Sequence, residues 1–171
     1  MIAVAGASLV APRHLVRPFA IAGAVCAVLP DLDAIGRSVP GFSGDLEFVG
    51  GHRGFTHSLL FAGMLGLVVG FTTCVSPLWQ GYRARLAIFI AAATAAHGAL
   101  DAVTTIGEGI QFFSPLSLQR YTSWWKPIRG PFSELFLCLL PLIVVTRVVC
   151  HVRGVPWPRR RKPELVTIAL R

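Results

Sequence analysis

Eight consecutive residues, Gly51-His52-Arg53-Gly54-Phe55-Thr56-His57-Ser58, put two imidazoles and a guanidinium just ahead of a long apolar run. Neutral imidazole is the commonest protein ligand for zinc and related ions, so His52 and His57 are candidate metal ligands. The plainer reading makes them interface residues. Thr56 or Ser58 can cap the free backbone N–H groups of the helix that follows, which places His57 in its first turn. Arg53, flanked by both histidines, could grip a phosphate and its developing negative charge. It could equally be an anchor at headgroup level.

His97 and Asp101 stand four residues apart, on one face of a helix. Counted from Arg85, His97 lies about 18 Å along that helix, deep in its outer half. An unpaired Asp there costs about 2.5–3.5 kcal/mol on the insertion scale, so Asp101 needs a partner. That partner is either His97 itself, one turn away, or a metal that both ligate. Pro30-Asp31-Leu32-Asp33 adds two carboxylates that can converge on a cation, although such a pair in a solvated loop is weak when it stands alone. Together the three clusters offer Asp31, Asp33, His52, His57, His97 and Asp101, enough for one metal or two. Mixed imidazole and carboxylate donors suit Zn²⁺ and also Mn²⁺ or Fe²⁺. A metal that keeps one open position activates water for attack on phosphorus or carbonyl carbon, with one carboxylate, Asp33 among them, available as general base. The sequence has no HExxH, no adjacent His-Asp pair, no Gly-x-Ser-x-Gly and no phosphate-binding glycine loop.

These residues must be positioned by helices, and the composition requires the helices to lie in a membrane. Of 171 residues 54% are hydrophobic and 14% charged, where a soluble domain has about 25% charged. Three segments, 56–76, 85–105 and 132–150, approach the roughly 20 residues that cross a bilayer core. Two shorter ones, 2–11 and 18–30, are marginal and could form a thin hairpin around the basic hinge 12–17. Ala, Leu and Gly dominate these runs without period-two alternation, which favours helix over strand. Two breaker-rich loops, 31–55 and 106–131, separate them. The four cysteines lie singly in or at the ends of apolar runs and read as core residues.

Charge then orients the bundle. If the helices alternate, one side collects Arg13, Arg17, Arg83, Arg85, Arg147, Arg153 and the basic tail, opposed only by Glu164. That side is expected to be cytoplasmic. Asp31, Asp33, Asp45, Glu47, Asp101, Glu108 and Glu134 all fall on the other side, with the histidine motif. The net charge of +8 therefore points to a membrane surface, and nucleic acid is an unlikely partner.

Leu29-Pro30-Asp31-Leu32-Asp33, the Gly-His-Arg-Gly-Phe-Thr-His-Ser stretch and His97-Gly-Ala-Leu-Asp101 followed by Thr104, Thr105 and Gly107 resemble the YdjM-type family of predicted membrane-bound metal-dependent hydrolases. The resemblance covers about residues 20–140, with Phe113-Ser114-Pro115 and Glu134 included. It implies hydrolysis at a divalent metal. A more distant similarity to zinc-dependent phospholipase C and P1-type nuclease implies phosphodiester chemistry, by analogy only. Family members carry a further histidine near the start of the first helix, where this chain has Met1-Ile2-Ala3. Either the first helix starts further upstream, which its shortness favours, or this member has lost a ligand.

The expectation is thus an all-α integral membrane bundle of about five helices, three long and two short N-terminal ones. Residues 1–153 form the hydrolase domain, and 154–171 a basic cytoplasmic tail. The protein is expected in the cytoplasmic membrane, multi-pass, with Asp31, Asp33, His52, His57, His97 and Asp101 holding the metal on the outer side, zinc favoured. Arg53 and Asp33 would serve catalysis, and Glu134 would support a histidine from behind or simply complement a helix dipole. The substrate would be a phospholipid headgroup or another phosphate ester at the interface. The alternative is a non-catalytic membrane protein whose metal or His/Asp network is structural or part of ion transport.

Overall fold

The structure, a computed structural model, describes residues 2–38, 52–104, 109–129 and 140–154. Among them are five α-helices: α1 (Ile2–Val10), α2 (Val16–Val28), α3 (Leu59–Thr72), α4 (Arg83–Ala102) and α5 (Leu140–Val152). The described residues contain no strand, only isolated bridges at Thr104–Ile128 and Ile110–Tyr121. The protein is an all-α membrane helical protein.

Hydropathy alone favours 56–76, 85–105 and 132–150 as the spanning segments. The described helices divide the length differently. Helical turns at Arg13–Leu15 and from Leu29 onward extend α2 in both directions, so Arg13–Asp33, at 21 residues, is the one described helical stretch long and apolar enough to cross a bilayer. The stretches Leu59–Val75 and Ile143–Val152 are apolar but shorter, and α4 carries Arg83, Arg85 and Asp101.

Small residues set how closely the helices approach. Lipid is as apolar as a side chain, so packing in a membrane depends on close backbone contact more than on burial. A Cβ on Gly66 of α3 would lie 2.4 Å from the Ala87 carbonyl oxygen of α4, and one on Gly70 would lie 2.9 Å from the Ala87 Cβ. Gly23 of α2 and Gly6 of α1 leave room for the Phe89 ring of α4, at 2.6 and 2.9 Å from their virtual Cβ atoms. Phe89 packs on Phe19, which meets Trp79 in turn, and Leu15, Leu86 and Ile90 complete a fully buried centre.

These contacts fix direction. Gly66 and Gly70 face Ala91 and Ala87 in reverse order, so α3 runs against α4. Phe19 meets Phe89, and the Thr94 hydroxyl donates to the Cys26 carbonyl, so α2 runs with α4. The C-terminal ends of α2 and α4 and the N-terminal end of α3 therefore share one end of the bundle. At the opposite end, Arg83 donates to the Cys74 carbonyl, and Arg153 donates to the carbonyls of Ser8 and Ala11. Asp31, Asp33, Asp101, His52, His57 and His97 collect at one end, and Arg13, Arg83 and Arg153 lie at the other.

Candidate metal centre

Three short sequences meet where α2, α3 and α4 converge. Beyond α2 the chain tightens into a 3-10 turn that carries Asp31 and Asp33. A second 3-10 turn, Phe55–His57, delivers His57 ahead of α3. Ser58, not Thr56, caps α3: its hydroxyl accepts from the Phe61 N–H at 3.1 Å. His57 thus stands one residue outside the helix rather than in its first turn, and Thr56 is left for another task. His97 and Asp101 lie in the last turns of α4.

Four donor atoms from these elements face one another. His97 Nε2 is 3.1 Å from Asp31 Oδ1 and 4.0 Å from Asp101 Oδ2. His57 Nε2 is 3.5 Å from Asp31 Oδ1 and 3.6 Å from Asp101 Oδ2. All four lie within 4.8 Å of one another. For metal–donor bonds of about 2.0–2.1 Å, tetrahedral geometry demands donor–donor edges near 3.4 Å. The measured separations bracket that value. His97 and Asp101, the same-face pair, do not hydrogen-bond within their own turn.

The other side of the His57 ring explains its orientation. Asp33, with no exposed side-chain surface, accepts from the Thr56 hydroxyl and lies 2.7 Å from His52 Nδ1 and 3.4 Å from His57 Nδ1. Thr56 Oγ is also 3.1 Å from His57 Nδ1. Its single hydroxyl hydrogen goes to Asp33, so in the Thr56–His57 contact the oxygen accepts and Nδ1 carries the proton. In the neutral ring Nε2 then keeps its lone pair. That nitrogen is buried and has no hydrogen-bond partner among the described residues, although two carboxylates stand beside it. A neutral imidazole here offers that lone pair among carboxylate oxygens, and such a donor set fits a divalent metal.

Asp33, His52 and His57 form a second group within the same reach of one another. The six expected ligands therefore divide into two sets hinged on His57: Asp31, His57, His97 and Asp101 on its Nε2 side, and Asp33 and His52 on its Nδ1 side. Arg53 is buried and sits at φ 65°, a left-handed conformation rare for residues other than glycine. Its Nε is 3.2 Å from Asp101 Oδ2, and Nη2 is 3.4 Å from Thr104 Oγ. The Thr104 hydroxyl caps the end of α4 by donating to the Asp101 carbonyl at 2.9 Å. Thr56 and Thr104 thus hold site residues in place, a role that their positions within the motifs do not reveal. Arg120, from the far loop, donates to the carbonyls of His52 and Gly109. Glu134 lies outside the described residues, as do Asp45, Glu47 and Glu108.

A family model described as "YdjM inner membrane protein" matches residues 1–170. The chain belongs to the YdjM family. It is also similar to "Inner membrane protein YbcI" of Escherichia coli (strain K12), 35% identical over 132 residues that cover 75% of this chain and 69% of that protein. No solved structure matches. The family places this YdjM member in the inner membrane, in contact with its lipids.

Proposed function

We propose that this YdjM-family member is a metal-dependent hydrolase whose centre is formed by Asp31, His57, His97 and Asp101 and whose substrate is a phosphate ester at the membrane interface. The single observation that carries the reading is the buried His57 Nε2, without a hydrogen-bond partner among the described residues and turned toward two carboxylates and a second imidazole. A divalent cation bound there, zinc by donor chemistry, would supply Lewis-acid activation of water and of a phosphoryl oxygen.

The chain's own groups have separable tasks. Asp33 and Thr56 hold the His57 ring in one tautomer, which is a positioning role and replaces the general-base role expected for Asp33, whose enclosed carboxylate has no path to water. Asp31 is the open member, with 44% of its side chain exposed, and is the carboxylate best placed to take a proton from an entering water. Arg53 orients Asp101 and sets a positive charge at the rim for an incoming phosphate.

The site end lies opposite Arg13, Arg83 and Arg153, and by the positive-inside rule it is the non-cytoplasmic end of a multi-pass protein. Ion transport is the weaker alternative. Between Arg85 and His97, α4 offers Thr94 as its one polar side chain, and that hydroxyl is buried against the Cys26 carbonyl. No polar track leads from the cluster along α4.

The test is metal analysis of the purified full chain together with hydrolysis of generic phosphodiesters. His57→Ala and Asp101→Ala should lose both bound metal and turnover while remaining in the membrane. Bound metal without turnover on any ester would move the assignment to a structural site.

A further inference from the structure

The segment 109–129 follows the site end of α4 and has no helix, yet it is firmly pinned. The Ser123 N–H donates to the Ala102 carbonyl at 2.9 Å, the Leu59 N–H to the Phe112 carbonyl at 3.0 Å, and the Gln111 N–H to the Arg53 carbonyl at 3.1 Å. Ile110 pairs with Tyr121, whose ring packs on Phe112 and Phe113, and Ile110, Ser114 and Ile128 are buried beneath. A loop held this way would be expected to turn polar side chains outward. Instead Leu116 is 92% exposed, Leu118 67%, Trp124 96% and Trp125 61%. Large apolar side chains exposed in this number on one loop mark a contact surface.

We infer that this loop is a bilayer-interface surface, with Trp124, Trp125, Leu116 and Leu118 seated among the lipid headgroups and upper acyl chains at the site end. Three observations name the occupant. First, α4 has 20 residues, about 30 Å at 1.5 Å per residue, which matches the hydrocarbon core, so its last turn reaches headgroup level. Trp124 follows directly the residue bonded to that turn. Second, indole has an apolar body and one N–H donor, which is why Trp concentrates at this depth. Lys126 and Arg129 follow it in sequence, with Arg129 exposed, and supply charge complementary to lipid phosphates. Third, Leu59, Leu60 and Met64 in the site-end half of α3 are exposed, an apolar face that acyl chains would cover in an inner membrane protein, and the Leu59 N–H bonds the Phe112 carbonyl of the loop, so the loop adjoins that face. The surface does not depend on the metal reading, but it would set the cluster at the depth of lipid phosphates.

The experiment uses the full chain in nanodiscs of phosphatidylethanolamine and phosphatidylglycerol, with lipids brominated either near the carbonyls or near the chain ends. Trp124 and Trp125 are two of four tryptophans. Trp124→Phe/Trp125→Phe should remove more than half of the quenching by shallow bromines and little of that by deep ones. Equal shallow quenching in the double variant and the parent would overturn the inference. A spin label on Leu116→Cys, in a Cys74→Ser background, gives a second reading free of the tryptophan change. Collision with oxygen should exceed collision with a water-soluble nickel chelate, and the reverse order overturns the inference. So does protection of the label that appears only at two copies per disc, since the occupant would then be a second chain.

Discussion

The Thr56 hydroxyl lies between Asp33 and His57, donating to the carboxylate and accepting from His57 Nδ1 at 3.1 Å. One hydrogen thereby fixes the tautomer of an imidazole whose other nitrogen faces two further carboxylates. The same ring would otherwise have a second low-energy state, with the proton on Nε2 and a hydrogen bond to Asp31 or Asp101. In the proposed centre Asp33 and Thr56 would favour the tautomer of His57 whose Nε2 can ligate.

Asp33→Asn should therefore weaken metal binding without abolishing it. Loss of such an outer carboxylate typically lowers affinity about 10–100-fold. Titration of the apoprotein with Zn²⁺ against a competing chelator measures this, and Thr56→Val should fall in the same direction. Asp31→Ala should remove a donor outright and leave no stoichiometric metal. If Asp33→Asn were as severe as Asp31→Ala, Asp33 would be a direct ligand and the two sets around His57 would form a dinuclear site.

Chelation should lower thermal stability as well as activity. A metal that binds only the folded chain at Asp31, His57, His97 and Asp101 would stabilise it by mass action, about 2.7 kcal/mol at a concentration 100 times Kd. The midpoint of unfolding in detergent should fall on adding a strong chelator and recover with excess Zn²⁺. An unchanged midpoint would mean that no cation occupies the cluster.

Arg53 separates backbone strain from charge. At φ 65° an alanine keeps the penalty of a left-handed L-residue, about 1–2 kcal/mol, whereas glycine does not. Both Arg53→Ala and Arg53→Gly lose the contact to Asp101 and should lose most turnover. Arg53→Gly should nevertheless unfold at the higher temperature of the two. Thermal melts of the pair check this ordering.

The all-α membrane class was legible in the sequence, and so was the meeting of the three motifs at one end of the bundle. His52, His57, His97 and the three aspartates stand out because ionisable groups are costly beside apolar runs, and the shared side of alternating helices brings them together. The division of labour was not legible. Whether Asp33 touches a metal or a ring nitrogen depends on a 3-10 turn that rotates two carboxylates to opposite sides of His57, and no periodicity encodes that turn. Helix limits failed for a related reason. Hydropathy ended the second segment at Pro30, but a proline begins a helical turn as readily as it ends one, and the turns on both flanks of α2 make Arg13–Asp33 the longest apolar stretch described. Conversely, α3 stops at Thr72, and a separate turn takes the chain to Val75.

Sidedness can be read with thiols. Cys74 is an exposed free cysteine at the arginine end, where its carbonyl accepts from Arg83. Gln119 is exposed in the loop at the opposite end. In intact spheroplasts a membrane-impermeant maleimide should label Gln119→Cys and spare Cys74, and inverted vesicles should show the reverse. Labelling of Cys74 from outside would turn the bundle over and place the His/Asp cluster in the cytoplasm.

Two glycines on the α3–α4 seam should respond differently to the same added methyl group. At Gly66 a Cβ would sit 2.4 Å from the Ala87 carbonyl oxygen, which is main chain and cannot rotate away, so Gly66→Ala must push the helices apart. Overpacking of this kind costs about 1–3 kcal/mol, read as a lower unfolding midpoint. At Gly98 the Cβ would meet the His57 carbonyl at 3.0 Å, a contact that the short turn before α3 can relieve by moving a few tenths of an ångström. That movement carries His57 away from His97. Gly98→Ala should therefore lose less stability than Gly66→Ala but more metal affinity, because donor separations near a tetrahedral edge tolerate little displacement. A variant series in which stability and metal affinity fall in proportion at both positions would show that the cluster senses only global packing, and that the His57 turn does not set its geometry.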